Sequence, residues 1–169
     1  MPEEIFDIVN ERDEVIGQAP RSQVHAKKLL HRAVHIFVFN TAGELLMQKR
    51  SATKDEYPNC YTSSASGHVS AGETYDETAP RELEEELGLQ GNLTRLTKIV
   101  GTPENAREHA VLYQLTTEAT PIPDPGEIES ICFLPLTEID NQVVDHPEHF
   151  TPPFLQLYRW YRQQNQQPD

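Results

Sequence analysis

The chain has 169 residues, a length that fits one domain with a single hydrophobic core. Its 27 acidic side chains against 14 lysines and arginines give a formal net charge of −13, which repels nucleic acid and excludes it as an expected partner. The two cysteines, Cys60 and Cys132, form no C-x-x-C pair, so we predict reduced thiols. The acidic N-terminus has no signal-peptide pattern, and no run of about eighteen apolar residues occurs, so we predict a cytoplasmic protein that does not enter a membrane.

Strand patterns dominate the first part of the chain. Residues 1–30 contain two short apolar stretches, IFDIV and VIG, on either side of the polar segment NERDE, which predicts a hairpin extension beside the core. The run VHIFVF at 34–39, the turn NTAG and the run ELLMQK at 44–49 predict a second hairpin. Residues 51–58 are polar and end in proline, which predicts a loop.

A helix is predicted in the Glu-rich segment TYDETAPRELEEELG. Leu83 and Leu87 lie four residues apart on one side of this helix, and Gly88 is its predicted end. Pro80 has no backbone N–H and fits poorly inside a helix. We therefore expect the regular helix to begin near Ala79, with the proline in its first turn, or an earlier turn to be kinked at the proline.

The rest of the chain predicts more strands and a second long helix. The segments LTRLTKIVG, HAVLYQLTT and SICFLPL are typical of strands, and LTEID of a short helix. Residues 151–163 have a threonine cap, proline in the first turn and apolar residues at helical spacing. Residues 164–169 have no apolar anchor, which predicts a disordered tail after a single domain that spans 1–163.

Three carboxylates share one face of the Glu-rich helix. At about 100° per residue, Glu82, Glu85 and Glu86 fall at about 0°, 300° and 40°, within a stripe roughly 100° wide. Glu84 falls at about 200° and is expected to be a solvated surface charge. Three anions this close repel one another unless they take up protons or bind a cation. Because carboxylate oxygens suit Mg²⁺ or Mn²⁺, the stripe predicts a divalent-metal site.

The stretch from Gly67 to Leu89 carries a family resemblance. Its sequence, GHVSAGETYDETAPRELEEELGL, matches the Nudix box G-x5-E-x7-R-E-U-x-E-E-x-G-U, where U is aliphatic, without a mismatch. The chain therefore resembles the Nudix hydrolases. That resemblance implies an α/β Nudix fold, with a mixed β-sheet sandwiched between helices. It also implies a Mg²⁺-dependent hydrolase acting on acid anhydrides, which cleaves a diphosphate linkage in a small nucleotide-like molecule such as a nucleoside diphosphate.

The resemblance also implies roles for individual residues. The expected metal-binding residues are Glu82, Glu85, Glu86 and Gly67. The expected catalytic residues are Glu82, Glu85, Arg81 and Glu73. Glu82 is either a metal ligand or the general base, and the sequence leaves both roles open. Arg81 is expected to form a bidentate ion pair with Glu73.

Substrate contacts are expected inside and outside the box. The expected substrate-binding residues are Gly67, Gly72 and His68; the two glycines let the loop pass close to the metal and the substrate. An acid from outside the box often assists Nudix enzymes, and the candidates are Glu108, Glu127 and Glu129. The aromatic residues that are candidates for stacking on a base are Tyr57, Tyr61, Phe133 and Trp160.

A looser resemblance leads to the type I isopentenyl-diphosphate isomerases, which share the Nudix fold. In that family histidines and glutamates hold a second metal, and the corresponding residues here are His25, His31, His68 and Glu108. Ser66 stands where the isomerases have a catalytic cysteine, and Ala106 where they have a metal-binding glutamate. These departures and the intact box favour hydrolysis. An isomerase-like enzyme and an inactive diphosphate-binding module are the alternatives, and the oligomeric state, a homodimer included, stays open.

Overall fold

Residues 3–165, the part of the chain that the computed structural model describes, contain nine strands, four α-helices and two short 3₁₀ helices at Pro103–Asn105 and Pro147–His149. The strands are β1 Ile5–Val9, β2 Val15–Pro20, β3 His31–Phe39, β4 Leu45–Arg50, β5 Tyr61–Thr62, β6 Ala65–His68, β7 Thr94–Ile99, β8 Glu108–Thr116 and β9 Ile128–Leu134. The helices are α1 Arg21–Ala26, α2 Tyr75–Leu87, α3 Leu136–Asp145 and α4 Pro152–Gln164. Of the predicted disordered tail, Gln164 ends α4, and residues 166–169 lie outside the described part.

A mixed seven-stranded sheet forms the centre of the molecule. Five of its strands run in the order β5-β4-β3-β8-β7, while β6 pairs with β3 and β9 pairs with β4. Strands β3 and β8 are parallel, and the other pairs are antiparallel. The predicted hairpins β1–β2 and β3–β4 are both present.

Strand β3 is buried on both faces because helices cover both sides of the sheet. Val34 and Ile36 pack in one core with Leu83 of α2, and Phe37 packs in the other core with Phe154 of α4. Alternate residues of a strand point to opposite faces, so the apolar run HIFVF serves both cores. The α/β/α arrangement of the Nudix fold is therefore confirmed.

Helix α2 begins earlier than the proline suggested. It starts at Tyr75, so the prediction of a start near Ala79 is wrong. Thr74 caps the helix in a reciprocal capping box with Glu77, and this local pairing satisfies the first free N–H groups. The helix then continues through Pro80.

The N-terminal hairpin is tied to the loop that precedes α2. The amide of Ala71 donates to the carbonyl of Ile5 at 2.8 Å, and the amide of Gly72 donates to the Asp7 carboxylate at 3.1 Å. Phe6 is completely buried between the hairpin and the sheet. The hairpin leads into the short helix α1, which the sequence did not predict. The N-terminal hairpin is thus packed against the loop that precedes α2.

The helices at the end of the chain follow the sequence pattern closely. Thr151 caps α4 by accepting a hydrogen bond from the amide of Phe154, and the apolar side of this helix is buried as expected. Helix α3 is longer than the predicted LTEID and ends at Asp145. None of the helices in the described part of the chain has the length and apolar character needed to span a membrane.

Candidate active site

One open cavity of about 650 Å³ brings the predicted groups together. Six residues of the box segment line it: Gly67, His68, Arg81, Glu82, Glu85 and Glu86. Gly72 and Glu73 lie in the loop before α2 and do not line the cavity. Any effect of Glu73 on catalysis therefore has to pass through a neighbouring residue.

Helix packing turns the carboxylates toward the cavity. Leu83 and Leu87 are buried in the core, so the neighbouring stripe faces the cavity, while Glu84 is exposed as expected. The side chain of Glu82 is 13% exposed and that of Glu85 is 57% exposed. The stripe thus runs from the interior to the mouth of the cavity.

Gly67 is needed because Glu82 occupies the space beside it. A Cβ atom at Gly67 would lie 2.6 Å from Cγ of Glu82 and still closer to its carboxyl group. Any side chain at this position would displace that carboxylate. The structure therefore gives Gly67 a steric reason for being a glycine, and its role in metal binding stays a prediction.

Arg81 connects the loop to the carboxylate stripe. Its Nε and Nη2 donate to the two carboxylate oxygens of Glu73 at 3.0 and 2.8 Å. Its Nη1 donates to Glu82 and to Glu85, both at 3.1 Å. The hydrogen bonds from Arg81 lower the pKa of Glu73. One guanidinium thus holds the loop glutamate and two of the stripe carboxylates.

The two inner carboxylates have strongly raised pKa values. Burial, helped by the negative charge of Glu86, raises the pKa of Glu82 to about 8. Burial also raises the pKa of Glu86 to about 7, although the backbone amide of Ser66 and the side chain of Gln48 donate to it. Two carboxylates that are reluctant to ionise at neutral pH are a favourable setting for a divalent cation, which stabilises their charged forms.

A second cluster of possible ligands lies in the same cavity. The parallel register of β3 and β8 puts His31 beside Glu108, and β6 ends next to them at His68. The Glu108 carboxylate lies 2.7 Å from Nε2 of His68 and 3.5 Å from Nε2 of His31. One ligand atom from each of these three residues lies within 4.8 Å of the others. We call these three residues the histidine cluster.

His25 and Glu56 extend this cluster. Nδ1 of His25 contacts the Glu56 carboxylate at 2.9 Å, and His25, Glu56 and His68 form a second group with ligand atoms within 4.8 Å. Nε2 of His25 and Nε2 of His31 are buried without a hydrogen-bond partner. Because buried polar atoms normally have partners, these nitrogens fit a cation held by imidazole and carboxylate ligands.

The charges of the histidine cluster compensate one another. Burial alone would raise the pKa of Glu108, but the hydrogen bond from His68 and the nearby imidazole of His31 hold it well below the ordinary value. The pKa of His31 is raised by Glu108 against the opposing effect of its burial. Nearby His35 has no such partner, and burial lowers its pKa to about 4.

The candidate acids and aromatic residues outside the box differ in whether they line the cavity. Glu108 and Glu127 line the cavity, whereas Glu129 is exposed and does not. Glu127 also forms an ion pair with Lys54. Of the four aromatic candidates only Tyr57 lines the cavity; the other three pack against the cores and are Tyr61, Phe133 and Trp160.

Sequence reasoning missed several residues that the fold brings into the cavity, among them Gln48 and Glu56. Gln48 on β4 reaches Glu86 across the gap between sheet and helix, and Glu56 lies in the loop after β4. Gln48 is a polar residue directly after the apolar run 45–47 of β4, and this position is a signal within the sequence. Glu56 has no local signal because its partner His25 lies in α1.

The fold and the box define a Nudix-type protein, and comparisons with known proteins agree. The NUDIX domain model matches residues 29–158, and the chain belongs to the NUDIX family. An uncharacterized Nudix hydrolase of Yersinia pestis is 33% identical over 166 residues, covering 97% of this chain and 89% of that protein. The crystal structure of DR0079 from Deinococcus radiodurans has a TM-score of 0.81 at 29% identity, covering 96% of this chain and 100% of that chain.

These relatives establish the class of enzyme. The chain is a hydrolase of the Nudix family, which acts on phosphoanhydride-type substrates and generally uses divalent metal ions. A protein named isopentenyl-diphosphate Delta-isomerase in Nocardia farcinica is also 30% identical over 155 residues, covering 86% of this chain and 87% of that protein. The second resemblance seen in the sequence is therefore confirmed as a relationship.

Proposed function

We propose that this protein is a Mg²⁺-dependent hydrolase that cleaves the diphosphate linkage of a small nucleotide-like substrate, with nucleoside diphosphates as the first choice. The main support is that Glu82, Glu85 and Glu86 line one wall of a cavity of about 650 Å³. A volume of this size suits a nucleotide-sized molecule. Mn²⁺ is the alternative ion.

The three stripe carboxylates would hold the cation in this proposal. Their oxygens are the hard ligands that Mg²⁺ prefers, and the raised pKa values of Glu82 and Glu86 indicate negative charge that the protein does not fully compensate. A bound divalent cation supplies Lewis-acid polarisation, water activation and charge neutralisation at phosphorus. Glu82 keeps two proposed roles, ligand or general base.

The neighbouring residues would orient these groups and the substrate. Arg81 fixes the direction of Glu82 and Glu85 through its hydrogen bonds, and Glu73 fixes Arg81. We favour Glu127 as the acid from outside the box because it lines the cavity, which Glu129 does not, and because Glu108 is already paired with two histidines. Tyr57, on the cavity wall and 39% exposed, is the proposed stacking surface for a base.

Isomerase activity is the second candidate function, supported by the isomerase relative and by the histidine cluster. The chemistry of the cavity favours hydrolysis over it. Of the described residues that line the cavity, only Ala33, Ala106 and Pro153 have purely aliphatic side chains, and none carries a thiol. An isoprenoid chain needs an apolar wall, and the hydroxyl of Ser66 is a far weaker acid than a thiol.

A panel assay tests the two activities together. The purified protein is incubated with Mg²⁺ or Mn²⁺ and with nucleoside di- and triphosphates, nucleotide sugars, ADP-ribose, dinucleoside polyphosphates or isopentenyl diphosphate. We expect metal-dependent phosphate release from nucleoside diphosphates. Conversion of isopentenyl to dimethylallyl diphosphate without phosphate release would establish the isomerase instead. Metal-dependent binding without turnover of any compound would leave the inactive binding module.

The Glu85→Gln variant tests the metal site. Loss of one charged ligand should lower kcat by about 10²–10³-fold, a loss typical of removing one electrostatic group from an active site. The melting temperature should hardly change because Glu85 is more than half exposed. Glu84→Gln on the exposed side of the same helix is the matched control and should keep full activity. Normal turnover in Glu85→Gln would contradict the proposal.

A further inference from the structure

Gln48 is a buried polar residue in the central sheet. It lies on β4, it is 2% exposed, and it faces the inner end of the carboxylate stripe. The residues before it on this strand, Leu45, Leu46 and Met47, are all fully buried and apolar. A buried amide costs free energy unless its polar atoms find partners, so its contacts need an explanation.

The direction of the Gln48 amide follows from its neighbours. Its Nε2 donates to the backbone carbonyl of Ser64 at 3.0 Å and to Oε1 of Glu86 at 3.1 Å. Turning the amide over would place its oxygen against two acceptors, which is unfavourable. The nitrogen therefore faces the carboxylate.

Glu86 is held by one of its two oxygens. The backbone amide of Ser66 donates to Oε1 at 3.1 Å, and this is the same oxygen that accepts from Gln48. In the described part of the chain, no hydrogen bond reaches Oε2. Two donors on one oxygen fix the plane and the rotation of the carboxylate and leave its second oxygen free.

We propose that Gln48 is a positioning residue that orients Glu86 as a cation ligand. Gln48 and the Ser66 amide hold Oε1, which would leave Oε2 free to bind a divalent cation. The inference rests on the proposed function, because it requires Glu86 to bind the activating ion. Residues that orient metal ligands in this way typically change metal affinity or activity by 10–100-fold when they are replaced.

The test is the Gln48→Met variant, which keeps the shape of the side chain and removes the donor. The Mg²⁺ concentration for half-maximal phosphate release should rise by roughly 10–100-fold. At saturating Mg²⁺ the kcat should stay close to that of the wild type, because the ligand itself is intact. Titration of Mn²⁺ followed by electron paramagnetic resonance should show a matching loss of affinity.

Two further variants keep the test specific. Tyr158→Phe removes two hydrogen bonds of a buried side chain, from the Tyr158 hydroxyl to the Leu136 carbonyl at 3.1 Å and to Asp140 at 2.7 Å, in the core on the other side of the sheet from Glu86. Its Mg²⁺ requirement should stay unchanged. Gln48→Asn, which keeps a polar group but cannot reach Glu86, should raise the requirement as Gln48→Met does and serves if the latter fails to fold.

The possible failures are distinguishable. Wild-type Mg²⁺ requirements in active Gln48→Met and Gln48→Asn would overturn the role of Gln48 alone. An equal rise in Tyr158→Phe would also overturn it, because any buried defect would then have the same effect. Phosphate release by the wild type that needs no divalent cation would overturn the proposed function and, with it, this inference.

Discussion

Glu86 and Glu108 are two carboxylates of one cavity with almost equal burial and opposite electrostatic behaviour. Glu86 is 8% exposed and its pKa is raised to about 7, whereas Glu108 is 7% exposed and its pKa is held well below the ordinary value. Burial disfavours the charge of both. The difference comes from partners, since Glu108 has two imidazoles while Glu86 has only neutral donors.

This contrast separates two kinds of acidic site. The carboxylate stripe on α2 collects negative charge on neighbouring turns of one helix and leaves it without a cationic partner at its inner end. The histidine cluster joins residues from three strands whose charges balance within the protein. A bound cation therefore stabilises the carboxylate stripe more than the histidine cluster, because of these two sites the stripe carries the uncompensated negative charge.

The largest expected effect is an opposite change in stability on neutralising the two acids. In metal-free protein near pH 8, Glu86→Gln should raise the free energy of unfolding by about 3 kcal/mol, since it removes a buried charge with a pKa of about 7. Near pH 6, Glu108→Gln should lower it by roughly 3 kcal/mol, because it breaks a buried charge pair. Urea unfolding in the presence of a chelator measures both.

The pH dependence of these two effects checks their cause. Because the pKa of Glu86 is raised, its contribution to the stability of the fold is complete below the unfolded pKa of about 4.5. This contribution is lost as the pH rises through about 7. The increase in the free energy of unfolding caused by Glu86→Gln should therefore vanish near pH 5. The lowered pKa of Glu108 means that its contribution is present above about 4.5 and is lost as the pH falls further. Changes of the same sign in both variants would refute the contrast.

A smaller change in stability is expected on removing the charge of Asp13, which links the N-terminal hairpin to the rest of the protein. Asp13, whose side chain is 8% exposed, accepts hydrogen bonds from Arg32 at 2.7 Å, Lys98 at 2.9 Å and the Tyr75 hydroxyl at 2.8 Å. Asp13→Asn should cost about 2 kcal/mol of stability, the usual value for hydrogen bonds to a charged group. Asparagine tolerates the positive φ of 63° at this position, so backbone strain does not complicate the comparison.

This variant also sharpens the comparison between the two sites. The hairpin carries Phe6 and leads into His25, which both lie against the histidine cluster. Hydrogen exchange should therefore accelerate in the hairpin while α2 stays protected. Glu11→Gln at the exposed tip is the control and should change nothing. Equal acceleration in α2 would mean that the hairpin and the stripe form one cooperative unit.

Sequence could predict the stripe because its residues are neighbours on one helix. The apolar spacing of Leu83 and Leu87 fixes the buried face, and the geometry of the helix then fixes the position of the glutamates. The two hairpins and α4 were predicted for the same reason, since periodicity and turn residues are local signals. The family resemblance added the fold, which periodicity alone leaves as a mixture of helices and strands.

The histidine cluster shows where sequence reasoning ends. Its members were named only through a resemblance, and their distances depend on the parallel register of β3 and β8 and on the packing of α1. The contact between His25 and Glu56 also joins separate elements of the fold, and so does the contact between Gln48 and Glu86. No periodicity within one segment encodes such contacts, because they form only when the sheet assembles.

The smallest expected effect concerns the start of α2, where the prediction was wrong. Helix α2 forms before Pro80 because the pattern T-x-x-E at Thr74 and Glu77 makes a capping box, which satisfies free N–H groups of the first turn. Thr74→Ala should lower the free energy of unfolding by about 1 kcal/mol, whereas Thr74→Ser should keep most of it, because serine retains the hydroxyl that accepts from the Glu77 amide. Thermal unfolding of the two variants measures the difference. If Thr74→Ala cost nothing, the turn before Ala79 would contribute no stability, and the stripe would depend only on the helix that follows the proline.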